Sequence, residues 1–322
     1  MLFASTLVLG TIISISSNTW FGVWIGLEIN LLSIIPLMSK PNSPISAESA
    51  IKYFVTQALA SSILMVSIIN MESMSALTNN LLIESVMFTK MGAAPFHFWF
   101  PEVMEGLSWN NNMIIMTWQK LAPMVILMYL PMITSFTLII VITSMTISGL
   151  MGINQTSLRK IMAFSSINHI GWMLSTMMFM ENLWLIYFIV YTVILLPIIS
   201  IFNKMNLAHI KQFMSAISNS NTKMMVALNF LSLGGIPPFL GFLPKWLAIQ
   251  GLIENNFTLL AIFMVILTLL PLYFYIRLSM TSLVMQQSKI YQENLLPNKW
   301  GFMMNSISIM GLLICTVLFN ST

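Results

Sequence analysis

The chain has 322 residues, of which 57% are apolar and only 7% are charged. Soluble domains carry about 25% charged residues, so this composition excludes a water-soluble globule and indicates one polytopic membrane protein. The net charge of +4 includes no basic run longer than the pair Arg159 and Lys160, so we expect no nucleic-acid partner and a lipid environment instead.

The residue types that build most redox and metal sites are scarce. Cys315 is the single cysteine, which excludes an iron–sulfur cluster held by this chain alone. The three histidines, His97, His169 and His209, lack HExxH spacing, and the chain has no aspartate. It also has no glycine-rich phosphate-binding motif. We therefore expect no metal ion and no cofactor in this chain.

Apolar stretches of about 20 residues, long enough to cross a bilayer, recur along the whole chain between polar clusters and turns. They predict an all-α fold with about eleven transmembrane helices in a single transmembrane domain, 1–322. The predicted spans are 3–17, 20–38, 50–70, 81–104, 111–130, 133–153, 158–180, 183–202, 224–250, 257–281 and 300–319.

The basic residues indicate how these spans are oriented. If successive spans alternate in direction, the loops after even-numbered spans, with the adjoining helix ends, form a basic side, and those after odd-numbered spans form an acidic side with Glu72, Glu181 and Glu254. The positive-inside rule then places the N-terminus on the cytoplasmic or matrix side and the C-terminus opposite. The basic side holds Lys40, Lys52, Arg159, Lys160, Lys204, Lys211, Lys223, Arg277, Lys289 and Lys299.

A short sequence pattern occurs twice. The segments 91–102 (MGAAPFHFWFPE) and 234–245 (GGIPPFLGFLPK) carry a glycine, two prolines and a phenylalanine at the same relative positions. They interrupt the fourth and ninth spans, which run in opposite directions, as is typical of an inverted-topology repeat with discontinuous helices. The pattern predicts a first repeat over 1–131, a second over 132–281, and a loop with a C-terminal transmembrane helix over 282–322.

Charged residues inside the apolar stretches are the candidates for function. Glu28 lies in the second span, Lys90 in the fourth, Lys120 in the fifth and Lys245 in the ninth. A charge near the centre of a bilayer costs at least about 2.5 to 3.5 kcal/mol on insertion scales. Each of these residues therefore needs a partner, a path for water or a function.

Glu28 and Lys90 suggest a proton switch. Burial disfavours the charged form of a lysine and a nearby carboxylate favours it, so a movement of Glu28 relative to Lys90 would make the lysine bind or release a proton. The alternative is a static buried ion pair that only fixes packing.

Lys120 has no carboxylate in its own helix, and a proton carrier explains it best. For Lys120 and for Lys245 the alternative is snorkelling of the side chain to the membrane surface, which fits Lys245 better because it lies nearer the end of its span. His169 has Ser165 one turn earlier on the same face. It is either a proton relay or a neutral histidine bonded to Ser165.

Polar residues follow the first break as well. His97 comes two residues after Pro95, where we expect it to pack or to cap a carbonyl group. Glu102 and Glu105 lie near the basic side, where they either face solvent or form an acidic mouth for proton entry.

Five segments in order resemble one known family: GVWIGLEINLLSIIPL, KMGAAPFHFWFPEVMEGLSW, TWQKLAP, NQTSLRKIMAFSSINHIGWM and NFLSLGGIPPFLGFLPKW. Over almost its whole length the chain resembles the subunit 2 family of mitochondrial NADH:ubiquinone oxidoreductase (respiratory complex I), in its arthropod form. These antiporter-like subunits are similar to subunits of cation/proton antiporters.

The resemblance implies proton translocation driven by NADH:ubiquinone electron transfer in other subunits. Those subunits would hold NADH, FMN, the iron–sulfur clusters and ubiquinone. It also implies the mitochondrial inner membrane, with the N-terminus in the matrix and the C-terminus in the intermembrane space, and contacts with membrane lipids and with other membrane-arm and accessory subunits. A cation/proton antiporter subunit and a purely structural membrane-arm subunit are the alternatives.

By the same resemblance, the candidate residues have separate roles in proton transfer. Glu28 and Lys90 would form the pair of a first half-channel, Lys120 would be the connecting lysine, and Lys245 would be the terminal lysine of a second half-channel. His169 matches a polar position on the central axis.

Overall fold

The computed structural model describes residues 2–39, 43–212 and 220–284, together with Ser306 and Gly311. These residues form helices and connecting turns, with one isolated bridge between Ser157 and His209. The chain divides into two compact units, Met1–Ser144 and Met145–Thr322. The predicted last span, 300–319, lies almost wholly outside the described residues.

Unit one contains seven helices and the start of an eighth among its described residues. They are α1 (Leu2–Ser16), α2 (Trp20–Met38), α3 (Pro44–Ile69), α4 (Ala76–Met91), α5 (Trp99–Gly106), α6 (Trp109–Met116), α7 (Trp118–Met128) and α8 (Thr134–Ile153). Unit two begins within α8. It continues with α9 (Leu158–Met177), α10 (Glu181–Lys204), α11 (Ser220–Gly234), α12 (Phe242–Glu254) and α13 (Thr258–Val284).

Several helices start where the sequence provides a cap. The Thr19 hydroxyl accepts the Gly22 N–H at 3.2 Å before α2, and the Ser75 hydroxyl accepts the Thr78 N–H at 3.4 Å before α4. Both bonds satisfy an N–H that the first helical turn leaves open. Pro44 begins α3, where its missing N–H costs nothing.

In the described part of the chain, five helices are long and apolar enough to cross a membrane. In α2, α3, α8, α10 and α13 the most apolar windows have mean hydropathies between 1.4 and 2.6. One face of α13 is exposed and almost purely apolar, which suits contact with lipid. The large side chains on that face include Leu259, Ile262, Phe263, Ile266, Leu269 and Tyr273.

Small residues bring α1 and α2 close together. A methyl group on Gly26 of α2 would lie 2.5 Å from the backbone nitrogen of Ser14 in α1, and one on Gly10 would lie 2.9 Å from Asn30 Oδ1. Such close contact between backbones is typical of helix pairs in membranes. The same contact holds Asn30 of α2 against α1, and Glu28 also lies on α2.

Three of the predicted spans that lie within the described residues are interrupted. Residues 92–98 separate α4 from α5, and residues 235–241 separate α11 from α12, at the glycine and proline segments found in the sequence. The fifth span was expected to be one helix and is two, because Thr117 (φ −114°, ψ −73°) divides α6 from α7. The Thr117 hydroxyl donates to the Met113 carbonyl at 2.7 Å.

Candidate functional site

Lys90 lies in the last turn of α4, immediately before the first break. Gly92 ends the helix with φ 75°, a conformation that favours glycine. The N–H groups of Gly92 and Ala93 both bond to the Phe88 carbonyl at 3.0 Å. The Trp99 indole donates to the Thr89 carbonyl across the break at 3.0 Å. The break is therefore an ordered structure, and it keeps Lys90 only 7% exposed.

A small polar cavity lies beside Lys90. It offers about 10 Å³ to the centres of water molecules, roughly enough for one. Asn30 Oδ1 and Gln119 Nε2 are buried there without a hydrogen-bond partner, and the Tyr53 hydroxyl lies 3.5 Å from Gln119 Oε1. Side chains from α2, α3, α4 and α7 therefore converge on this lysine. The lining residues are Leu27, Asn30, Leu31, Tyr53, Gln57, Lys90, Gln119 and Pro123.

Glu28 is half-buried in α2, two residues before Asn30. It interacts electrostatically with Lys90, but in the described part of the chain no direct hydrogen bond or ion pair within 4 Å joins the two side chains. The structure therefore brings the predicted pair together without locking it. A tight buried ion pair, the structural alternative, is not what this geometry shows.

Lys120 is the third residue of α7, directly after the break at Thr117. Its side chain is 1% exposed, and its Nζ lies 5.6 Å from the centroid of the Phe100 ring in α5. A cation at this distance from an aromatic face is stabilised by the ring. Its burial argues against snorkelling, and its neighbour Gln119 lines the cavity at Lys90.

Lys245 occupies the second break, in unit two. Its Nζ donates to the Gly234 carbonyl, the last of α11, at 2.7 Å and lies 6.0 Å from the Trp172 ring centroid. Carbonyls at a helix C-terminus carry partial negative charge, which favours an ammonium group. Gly235 has φ 76°, and a methyl group on it would lie 2.7 Å from Lys245 Cδ. At 8% exposure, Lys245 does not snorkel.

His169 lies on α9 three residues before Trp172 and is 5% exposed. Its Nδ1 is 2.9 Å from the Tyr187 hydroxyl, and the Tyr191 ring centroid is 4.9 Å from its own. The alternative of a bond to Ser165 was wrong, because Ser165 donates to the Met162 carbonyl and lies beside Tyr275 instead. His169 therefore belongs to a histidine–tyrosine cluster.

The other polar residues near the first break have structural contacts. His97 Nδ1 donates to the Pro95 carbonyl at 3.3 Å, which agrees with the expected capping role. Glu102 is exposed and pairs with Lys52 at 2.8 Å, and Lys52 also pairs with Glu48 at 3.0 Å. This surface network joins α3 to α5.

The structure adds Glu84, which sequence reasoning overlooked. Its side chain is fully buried in α4, and its Oε1 accepts the Ile133 N–H at 2.7 Å. Glu84 lies within the apolar stretch 81–104. Glu28 was selected because it is a charged residue inside such a stretch, and the same criterion applies to Glu84. Asn30, Gln57 and Gln119 were missed for another reason, because only the packing of helices reveals their shared cavity.

Among the described residues, no group of three or more His, Cys, Asp or Glu side chains could hold a metal ion. The charged and polar groups described above instead fit the binding and transfer of protons. Unit one holds Glu28, Lys90, Lys120 and Glu84 at buried or half-buried positions. In unit two, Lys245 lies near Trp172 of α9, the helix that carries His169.

Comparison with known proteins gives consistent matches. Residues 17–271 match the family model described as "NADH:quinone oxidoreductase/Mrp antiporter, TM". The NADH-ubiquinone oxidoreductase chain 2 of Anopheles gambiae is 50% identical over 319 residues, covering 96% of this chain and 92% of the relative. The protein of that name from Locusta migratoria is 44% identical over 327 residues, covering 98% and 95%.

Two solved structures have the same fold at low sequence identity. A chain of respiratory complex I from Thermus thermophilus has a TM-score of 0.82 and 19% identity, over 97% of this chain and 78% of that one. A chain of the Mrp complex from Dietzia sp. DQ12-45-1b has a TM-score of 0.78 and 16% identity, over 92% and 62%. With the family match, these likenesses show that the chain belongs to the NADH:quinone oxidoreductase/Mrp antiporter family of membrane proteins.

Proposed function

We propose that this chain is a proton-translocating, antiporter-like subunit of the membrane arm of respiratory complex I. The names and the 44 to 50% identity of the curated relatives, over nearly their full length, support this assignment. The observation that carries the mechanism is that each of three buried lysines lies beside an interrupted helix: Lys90 at Gly92, Lys120 at Thr117 and Lys245 at Gly235.

An interrupted helix suits a proton-carrying lysine. The break leaves backbone carbonyls without helical partners, and these groups solvate a cation inside an apolar environment. Lys245 illustrates this, since its partner is a neutral carbonyl. When Lys245 loses its proton, its neutral partner keeps no uncompensated charge.

In unit one, protons enter from the basic side and bind at Lys90 under the influence of Glu28. The polar cavity with Gln119 then leads toward Lys120, the next residue along the chain. In unit two, Lys245 and His169 carry the proton toward the acidic side. The direction from matrix to intermembrane space is the one that the resemblance to complex I implies, and the predicted topology places the N-terminus in the matrix and the C-terminus in the intermembrane space.

The architecture we propose has eleven transmembrane helices and an inverted repeat, 1–131 and 132–281, followed by a further helix in 282–322. The two breaks support the repeat, because the glycines have nearly equal φ values, 75° and 76°. In both, the residue after the glycine donates to the carbonyl five residues earlier: Ala93 to Phe88 and Ile236 to Leu231.

The redox groups of the reaction belong to other subunits in this proposal. NADH, FMN, the iron–sulfur clusters and ubiquinone are bound elsewhere in the complex, and this chain meets other membrane-arm and accessory subunits and lipid in the mitochondrial inner membrane. The scarcity of cysteine and aspartate in the sequence supports this division.

The test is Lys120→Met in assembled complex I. We expect loss of most proton translocation, with a normal amount of assembled complex, because methionine keeps the buried volume and removes the proton carrier. Proton uptake and NADH oxidation are measured in the same membrane vesicles. Lys204→Met is the matched control, since Lys204 is an exposed lysine at the end of α10 and its loss leaves translocation unchanged.

The alternatives give different results in these vesicles. A purely structural subunit would retain full proton translocation in the assembled Lys120→Met complex. A cation/proton antiporter, which the likeness to the Mrp complex makes the second candidate, would move sodium in exchange for protons without NADH oxidation. Either result would overturn the proposal.

A further inference from the structure

Glu84 is, like Glu28, a carboxylate within a predicted membrane span. The proposed proton path through the three lysines does not use it. Glu84 lies on α4, six residues before Lys90, and its side chain is 0% exposed. A buried carboxylate lowers the stability of the fold unless it is compensated, so its presence here indicates a function.

The two oxygens of Glu84 have different environments. Oε1 accepts the Ile133 N–H at 2.7 Å, and Ile133 is the residue whose carbonyl accepts the first bond of α8, from Thr137. Oε2 is buried without a hydrogen-bond partner. One oxygen therefore fixes the side chain at the start of α8, where the helix dipole favours negative charge, and the other is available to bind a proton.

No charged or titratable side chain neutralises Glu84 directly. Those on its own helix and on the helices packed against it make no hydrogen bond or ion pair with it in the described part of the chain. They are Lys90 on α4, Glu48, Lys52 and Tyr53 on α3, and Lys120 on α7, with Tyr129 directly after α7. Lys52 is occupied by Glu48 and Glu102.

Glu84 lies along α4 between Lys90 and the acidic side of the membrane. It lies about 12 Å from the start of α4, and α4 follows the loop that contains Glu72. Its partner Ile133 lies in the next acidic-side loop, between α7 and α8. Asn79, nearer the start of α4, also has a buried Oδ1 without a partner. Buried polar groups therefore occur on α4 at several levels between Lys90 and this side, with Glu84 about 120° around the helix from Lys90.

We propose that Glu84 is a proton-binding residue of unit one, located between Lys90 and the acidic side of the membrane. The proposal rests on the proposed function. Lys90 is about 9 Å further along α4, so a proton passes between the two groups through intervening water. Glu84 binds it at Oε2 and then releases it toward the acidic side, and its bond to Ile133 keeps the carboxylate in place throughout.

The decisive variant is Glu84→Gln in assembled complex I. The amide oxygen still accepts the Ile133 N–H, but the side chain no longer exchanges a proton. Removal of a proton-transfer group slows its step by about 100-fold or more, so we expect most of the proton translocation per NADH oxidised to be lost at a normal amount of complex. Glu84→Asp, which keeps an ionisable carboxyl group, restores part of it.

A residue that only fastens α8 to α4 behaves differently. Glu84→Gln then retains translocation, and Glu84→Met, which also removes the bond to Ile133, lowers the amount of assembled complex. That result overturns the proton-binding role. Lys90→Met separates the two proposals: if it abolishes translocation while Glu84→Gln does not, only the role of Glu84 fails, and if Lys90→Met also leaves translocation intact, the proposed function fails.

Infrared difference spectra of the intact complex, with and without turnover, give a second measurement that does not depend on assembly of Glu84→Gln. A carboxyl group that changes protonation produces a C=O band, and Glu84→Asp shifts that band if it belongs to this residue. Absence of a band sensitive to Glu84→Asp overturns the proposal.

Discussion

Lys245 shows how a single residue is kept inside the membrane without a carboxylate partner. Its ammonium group donates to the carbonyl that ends α11 and lies near the Trp172 ring. Gly235 makes room for it, since any side chain there would collide with the lysine stem. The glycine is therefore as much a part of the site as the lysine.

Gly235→Ala is expected to displace Lys245 and to reduce proton translocation. Alanine at φ 76° also costs about 1 to 2 kcal/mol, so the thermal stability of the complex falls. Gly234→Ala is the control, because its methyl group would lie 3.6 Å from Tyr275, an ordinary contact, and the carbonyl that binds Lys245 is retained. Equal effects of the two variants would contradict this explanation.

The His169–Tyr187 hydrogen bond can be tested separately. Tyr187→Phe removes the hydroxyl 2.9 Å from His169 Nδ1 and should cost about 0.5 to 1.5 kcal/mol of stability. If His169 relays protons, translocation falls as well because the ring loses its orientation. Translocation at the normal rate in an assembled Tyr187→Phe complex would show that the tyrosine is not needed for proton transfer.

Glu28, Lys90, Lys120, Lys245 and His169 could be selected as candidates from the sequence, because a charged or titratable group is conspicuous in apolar surroundings. The partners of these residues could not be read in the same way. The Tyr187 hydroxyl, which bonds to His169, and the Gly234 carbonyl, which bonds to Lys245, belong to other helices. Neither group is unusual in the sequence, and only the packing of the helices brings it to its partner.

At the scale of elements, the breaks in the helices are the main structural device. Two of them follow from glycine and proline, and the sequence located both. The third, at Thr117, has neither residue, and its threonine bonds back to its own helix, a known cause of bending. A threonine has this effect only in some surroundings, so the sequence predicted an unbroken fifth span.

The packing of α1 on α2 gives a prediction for these elements. Gly26→Ala would place a methyl group 2.5 Å from Ser14 N, and the backbone must move to accommodate it. Overpacking of this kind typically costs about 1 to 3 kcal/mol, so the amount and thermal stability of the folded protein should fall. Gly251→Ala, whose methyl group would lie 3.4 Å from Leu183, an ordinary contact, should have a much smaller effect.

At the scale of the whole molecule, composition decided the class of protein, and the matches to NADH-ubiquinone oxidoreductase chain 2 agree with the resemblance seen in the sequence. In the described part of the chain, apolar length and turn residues predicted most helix bounds to within a few residues, and the largest difference is at α3, which begins at Pro44 and not at residue 50. The neighbours of each helix could not be predicted, because a single sequence does not show which apolar faces pack against each other. The cavity at Lys90 and the burial of Glu84 both depend on those neighbours.

The membrane topology is testable with two positions at opposite ends of α3. After replacement of Cys315 by serine, Glu48→Cys should react with a membrane-impermeant maleimide only from the matrix side, and Glu72→Cys only from the intermembrane space. Both native side chains are exposed. Reaction of both cysteines from one side would contradict the predicted orientation.

The two breaks are fastened by different chemical groups. Across one, the Trp99 indole holds the Thr89 carbonyl, and an indole keeps its hydrogen at any physiological pH. Across the other, the Lys245 ammonium holds the Gly234 carbonyl, and a charge-assisted bond of this kind is about twice as strong as a neutral one. If Lys245 carries protons as proposed, loss of its proton weakens the second bond and leaves the first unchanged, so the end of α11 would respond to each proton that passes.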